Sequence, residues 1–255
     1  MNLWAQLRQR SGHLIASSLC VCGPLWAADW PRIAMPPDVH AFAVGEQFTA
    51  NGLPMRVQGF VAKEHSASEL AAWFRHSLGE PLVENRQGGK WILGRAEGGY
   101  YLTVQIEALA PDARLGSKGL LAVSDLATLN RNRDADAASA QRWLERWPAG
   151  TQLVSRMTSE DGGRAALHVA LRNGHSPSLN RDALIAHMQE DGLALVQESG
   201  APDGAKAHVP WALQDARSFY FKGPGKEGMA TIARDAQGLT AVVLNTTTAL
   251  GAYGR

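Results

Sequence analysis

Two His-Ser pairs, His65-Ser66 and His175-Ser176, are the residues of this chain that most readily suggest catalysis. Each opens a similar stretch, HSASELAAWF from His65 and HSPSLNRDALIAHM from His175. Each is followed by an apolar run, LVEN at Leu82 and LVQE at Leu195. A nucleophilic serine needs a base within hydrogen-bond reach and a third group to orient that base. Neighbouring side chains at a loop-to-helix junction seldom meet this requirement, and the G-x-S-x-G elbow is absent. Ser66 has a simpler role. With Glu69 three residues on it forms a capping box, each side chain satisfying a backbone amide of the first helical turn.

The other candidates are weaker. His40, His65, His76, His168, His175, His187 and His208 show no H-x-x-x-H pair and no carboxylate-histidine cluster at ligand spacing, so no metal or other cofactor is expected. Lys222 to Gly228, KGPGKEG, suggests a phosphate cradle, but Glu227 stands where a Walker loop needs Ser or Thr. GRAEGG, Gly94 to Gly99, occupies the matching place earlier in the chain, which favours two hairpin turns. Glu80, Glu84, Glu160 and Asp161 read as solvated acids. Four aromatics on expected strands, Trp91, Tyr101, Phe219 and Tyr220, are the candidates for anchoring a protein partner. Phe219 and Tyr220 must face opposite ways, so one of them fills the core.

The elements that position these residues follow from pattern. HAFAVGEQF, the Asn51-Gly52 turn and LPMRVQGFV form a hairpin. A helix follows Ser66, with Leu70, Trp73, Phe74 and Leu78 on one stripe, and Gly79 with Pro81 ends it. LVEN, KWILGR, GYYLTVQIEAL and GLLAVSDL read as strands. The second half repeats that order: TQLVSRM, a turn at Ser159 to Gly163, ALHVALR, a helix from Ser176-Pro177 or Asn180 carrying Ala183, Leu184 and Met188, then LALVQE, SFYFKG, GMATIAR and GLTAVVLN. Trp30-Pro31 and Trp147-Pro148 begin the two halves. Between them Asp134 to Trp147 reads as a helix with Ala137, Ala140, Leu144 and Trp147 on one face, and polar Asn130 to Asp136 reads as an exposed hinge.

Composition narrows the classes of function. A chain of 255 residues with 45% apolar content and a net charge of +1 has no basic field for nucleic acid. At the N-terminus, Arg8 and Arg10 precede the uncharged run Leu14 to Ala27 and the small residues before Asp29, which is the pattern of an export signal. The run is shorter than the roughly 20 residues of a spanning helix. Cleavage after Ala27 or Ala28 removes both cysteines, leaving no disulfide and no thiol nucleophile. It also removes two arginines and no acid, so the net charge of +1 falls by two to −1.

The expected fold is α+β: two similar helix-on-antiparallel-sheet modules after a signal peptide. Residues 1–28 are the signal, 29–130 the first module, 131–147 a helical linker and 148–255 the second module. Strands joined by short turns must pair antiparallel, and each helix can bury its stripe only against a sheet face. The layout resembles the small helix-on-sheet modules in the periplasmic parts of secretion and pilus machines, a likeness of architecture that carries no motif. The expected function is that of a non-catalytic exported envelope protein, periplasmic or secreted. It binds an envelope protein partner and no nucleic acid, and it has no membrane span once cleaved. The alternative is a periplasmic hydrolase or small-ligand binder using a cleft between modules, with His65, His175, Glu64 and Asp182 converging there.

Overall fold

The computed structural model describes residues 30–44, 47–110, 114–200 and 214–251. The expected signal, 1–28, lies outside them, and so does His208. Strands β1 (His40–Ala43) and β2 (Gln47–Ala50) both pair with one long strand, β3 (Leu53–Ala62), β1 along its second half and β2 along its first. HAFAVGEQF is thus two strands rather than one. The β2–β3 turn is Asn51-Gly52 as expected, with φ of 49° and 80°. Both values lie in the region a tight two-residue hairpin requires.

Helix α1 (Ala67–Leu78) begins at the Ser66 cap with both capping-box bonds in place and ends at Gly79, φ 68°. It buries Leu70, Ala71, Phe74 and Leu78. Then come β4 (Val83–Gln87), β5 (Lys90–Glu97), β6 (Tyr100–Ala108) and β7 (Ser117–Asp125), in an antiparallel meander. Helix α2 (Leu126–Leu144) follows directly, its first turn capped by Asp125, whose carboxylate accepts from Thr128 N–H at 2.8 Å. The second half runs β8 (Gln152–Asp161), β9 (Arg164–Asn173), α3 (Pro177–Glu190), β10 (Ala194–Gly200), β11 (Gln214–Gly223), β12 (Lys226–Arg234) and β13 (Thr240–Ala249).

The expectation of two separate modules is overturned by the sheet. All 13 strands belong to one antiparallel sheet in the order β10-β11-β12-β13-β9-β8-β2-β3-β7-β6-β5-β4, with β1 beside β3. The join is β2–β8, where Gln47, Phe48, Thr49 and Ala50 face Glu160, Ser159, Thr158 and Met157. Just beyond the ladder, Asn51 N–H donates to the Arg156 carbonyl and Arg156 N–H to Asn51 Oδ1, both at 2.8 Å. An open edge strand is a template for another strand, and each half supplies the other's. Nor is the middle helix a free linker. It starts at Leu126, not Asp134, so the expected hinge Asn130 to Asp136 is helical, and α2 packs on β3, β6 and β8.

Alternation along the strands separates two faces. Phe60, Leu93, Leu102, Val104, Ile106 and Leu121, packed toward α1, and Val169, Leu171, Phe219, Phe221, Ile232 and Leu244, packed toward α3, all point to one and the same face. Burial of each such side chain contributes roughly 1.5–3 kcal/mol. Trp143 and Leu144 of α2 pack on the second cluster. The three helices share this face, and among the described residues no helix covers the other.

Candidate partner-binding site

The two His-Ser junctions have the same construction, and it is structural. Ser66 Oγ accepts from Glu69 N–H at 3.2 Å, and Ser176 Oγ accepts from Leu179 N–H at 3.2 Å. In each half a fully buried hydroxyl on the returning strand holds the carbonyl of the preceding histidine. Ser117 Oγ donates to His65 O at 3.0 Å, and Thr240 Oγ1 donates to His175 O at 2.6 Å. The imidazoles turn elsewhere. His65 Nε2 meets Asp38 at 2.6 Å, and this hydrogen bond holds the Asp38 carboxyl below its ordinary value. His175 Nε2 donates to the Ala149 carbonyl at 2.7 Å. A buried pair, Asn173 and Asn180, exchanges amide hydrogen bonds of 2.7 and 3.0 Å behind the second junction. The serines therefore serve helix starts, and neither imidazole is bonded to its neighbouring hydroxyl.

The convergence of His65, His175, Glu64 and Asp182 does not occur. The two imidazoles are bonded to different partners in different halves, and Asp182 pairs with Arg181 at 3.1 Å. Among the described residues no three His, Cys, Asp or Glu side chains are grouped as metal ligands. KGPGKEG forms the β11–β12 turn, where Lys226 Nζ donates to the Asp191 carbonyl at 2.9 Å. Gly223 is there for closeness, since a Cβ on it would collide with the Gly192 carbonyl. Glu84 is engaged by Arg75, which keeps its carboxyl low, and Glu80 accepts from Leu82 N–H.

The four aromatics are placed differently from one another. Phe219 is 1% exposed and packs in the core, 6.5 Å from Phe221, out of reach of any partner. Trp91 is half-buried on the helix face, with the Arg86 and Arg75 guanidinium groups 4.2 and 5.0 Å from its ring. Tyr101 and Tyr220 lie half-buried on the helix-free face. Tyr101 lies over Gly94, where a Cβ would strike its ring, and Tyr220 is cross-strand from the exposed Met229.

The larger feature of that face is centred on β1. Phe42 (56% exposed), Val44 (40%), Val61 (37%) and Leu120 (44%) form one apolar patch there. The register explains its continuity: Phe42 faces Gly59, and Gly59 faces Leu120. Phe42 lies across Gly59, where any Cβ would meet its ring. Beside the patch, β1 has an open edge, for among the described residues it pairs only with β3. Val44 N–H donates to the Val57 carbonyl at 3.0 Å. In an antiparallel ladder alternate residues point to the same neighbour. Phe42 and His40 therefore turn their backbone groups toward β3, and Ala41 and Ala43 turn theirs outward.

The other two edges are defended. β4 carries Glu84 and Arg86, and β10 is broken by a bulge between Leu195 and Gln197. Charges and bulges are the usual devices against edge pairing. β1 has neither. The sequence signals for this site were HAFA as a short uncharged strand and a glycine, Gly59, inside a strand pattern. Neither signal says that the strand lies at an edge.

No protein-family model matches this chain, and no curated protein or solved structure matches it significantly.

Proposed function

We propose that this chain is an exported bacterial envelope protein that acts by holding another protein, which adds a strand to β1 and covers Phe42, Val44, Val61 and Leu120. The observation that carries this reading is the undefended edge of β1 beside a contiguous exposed apolar patch. Strand addition draws affinity from main-chain hydrogen bonds and specificity from the alternate side chains. Here the outward groups of Ala41 and Ala43 would supply the first, and the patch the second. The export half of the proposal rests on the sequence: the basic start, the apolar run Leu14 to Ala27 and the small residues before Asp29.

A photo-crosslinking residue at position 42, compared in cells with one at the exposed helical position 190, tests the binding half. One discrete adduct at 42, lost on Ala43→Pro, is expected. Proline there removes only an outward amide, which an edge strand tolerates. Absence of an adduct, or an adduct indifferent to Ala43→Pro, refutes the strand-addition mode. The mass of the exported chain tests the rest, since retention of Met1 to Ala27 refutes cleavage.

A further inference from the structure

Helix α2 bridges the join of the sheet, and a cleft of about 550 Å³ lies between it and the strands there. Ligand sites commonly fall in the range of about 300–1,000 Å³ and combine an apolar lining with a few polar groups. Ala137 and Ala140 form the helical wall, and their small side chains leave the volume open. Leu153 and Val154 line the strand side, Val154 being 58% exposed because it is the extra residue of the β8 bulge. Arg133 and Arg156 also line the cleft. Among the described residues neither has a carboxylate within salt-bridge distance, although Arg133 Nη2 donates to Asn130 Oδ1 at 3.0 Å. The single acid of the lining, Asp136, is packed against the β2–β3 turn, where a Cβ on Gly52 would come within 2.9 Å of its Oδ2.

We infer that this cleft binds a small amphipathic organic anion, its apolar body against Ala137, Ala140, Leu153 and Val154 and its carboxylate or sulfonate on Arg156 and Arg133. Two guanidinium groups against one displaced carboxylate give the cleft a positive balance, and a guanidinium fork matches a planar carboxylate. Between them the apolar wall and floor are open to solvent, so an alkyl or aryl body gains by covering them. The occupant touches both α2 and β8, and so lies against the join, where the four-residue β2–β8 ladder ties the two halves of the sheet together. This inference is independent of the partner site at β1, which lies on the opposite face.

Anilinonaphthalene sulfonate serves as the fluorescent probe on the full, folded chain, with decanoate and decyltrimethylammonium as competitors. One saturable site is expected, displaced by decanoate at least tenfold more effectively than by the cation of equal chain length. Ala140→Trp should fill the cleft and abolish binding. Arg156→Gln should weaken it about tenfold and Arg156→Lys less, each with an unchanged circular dichroism spectrum. Phe42→Ser should leave the affinity unaltered. Binding that survives Ala140→Trp, that the cation displaces equally well, or that is lost on Phe42→Ser would overturn the assignment.

Discussion

Replacing Thr240 by Val is the sharpest test of how the His-Ser junctions work. The two side chains have nearly the same shape, so the change removes a hydroxyl and little else. Thr240 is fully buried, and its Oγ1 donates to the His175 carbonyl at 2.6 Å. Without it a part-buried backbone acceptor loses its partner, at a cost of about 1–3 kcal/mol. For a chain of this size each kcal/mol lowers the melting temperature by roughly 2–4 °C. Taking about 2 kcal/mol as central, thermal unfolding followed by circular dichroism should show a fall of roughly 4–8 °C. His175→Ala is the matched control. It retains the carbonyl and loses one exposed ring hydrogen bond to Ala149 O, a bond worth about 1 kcal/mol or less. If the imidazole and not the carbonyl were the reason for the motif, the order would reverse. A melting temperature lowered more by His175→Ala than by Thr240→Val refutes the structural account.

The first half should follow the same rule, with Ser117→Ala lowering the melting temperature more than His65→Ala. Gly119→Ala should cost about 1–3 kcal/mol in chemical denaturation, because its Cβ would meet the Gln105 carbonyl, a backbone atom, as well as the Phe60 ring. Gly59→Ala is the contrasting case, since the nearest obstacle is the exposed Phe42 ring and not backbone. It should leave stability nearly intact while displacing that ring, so loss of the crosslink at position 42 without loss of fold is the expected result. Burial, followed by the nearby Arg146 charge, pushes the His187 imidazole below its ordinary value, against the smaller opposing effect of Asp191 and Glu190. The unfolded chain then binds a proton that the folded chain refuses. Stability attributable to this group is complete above pH about 6.5 and declines as pH falls below it, by at most about 1.4 kcal/mol per pH unit. Denaturation midpoints measured from pH 7.5 to 5.5 should show this slope in the parent and a flatter one in His187→Phe; equal slopes refute it.

Much of the local structure was legible because it depends on neighbours in sequence. Ser66 with Glu69, Ser176-Pro177, Gly79 and Asn51-Gly52 each fix a backbone conformation within a few residues, and the structure has all four where pattern places them. The alternation that set Phe219 against Tyr220 is also local, and it separates core from surface as the period of two requires. The start of α2 lies at Leu126, before the Asp134 that pattern indicates, for a related reason. Asp125 caps it, but the apolar run GLLAVSDL masks the boundary, and the polar stretch Asn130 to Asp136 resembles a loop when its burial is unknown. The candidate site was the least legible part. Phe42, Val44, Val61 and Leu120 are ordinary strand residues until the register sets them side by side on an uncovered face.

By itself the sequence determined which residues start helices, which turn, and which side of each strand is apolar, because those choices depend on side chains a few positions apart. It could not determine that β2 and β8, more than a hundred residues apart, would close two edges into one sheet, nor that β1 would remain an edge. Strand edges are made of backbone, which is the same in every sequence. Which edge meets which is decided only when the helices, the turns and the buried clusters bring the strands together in space.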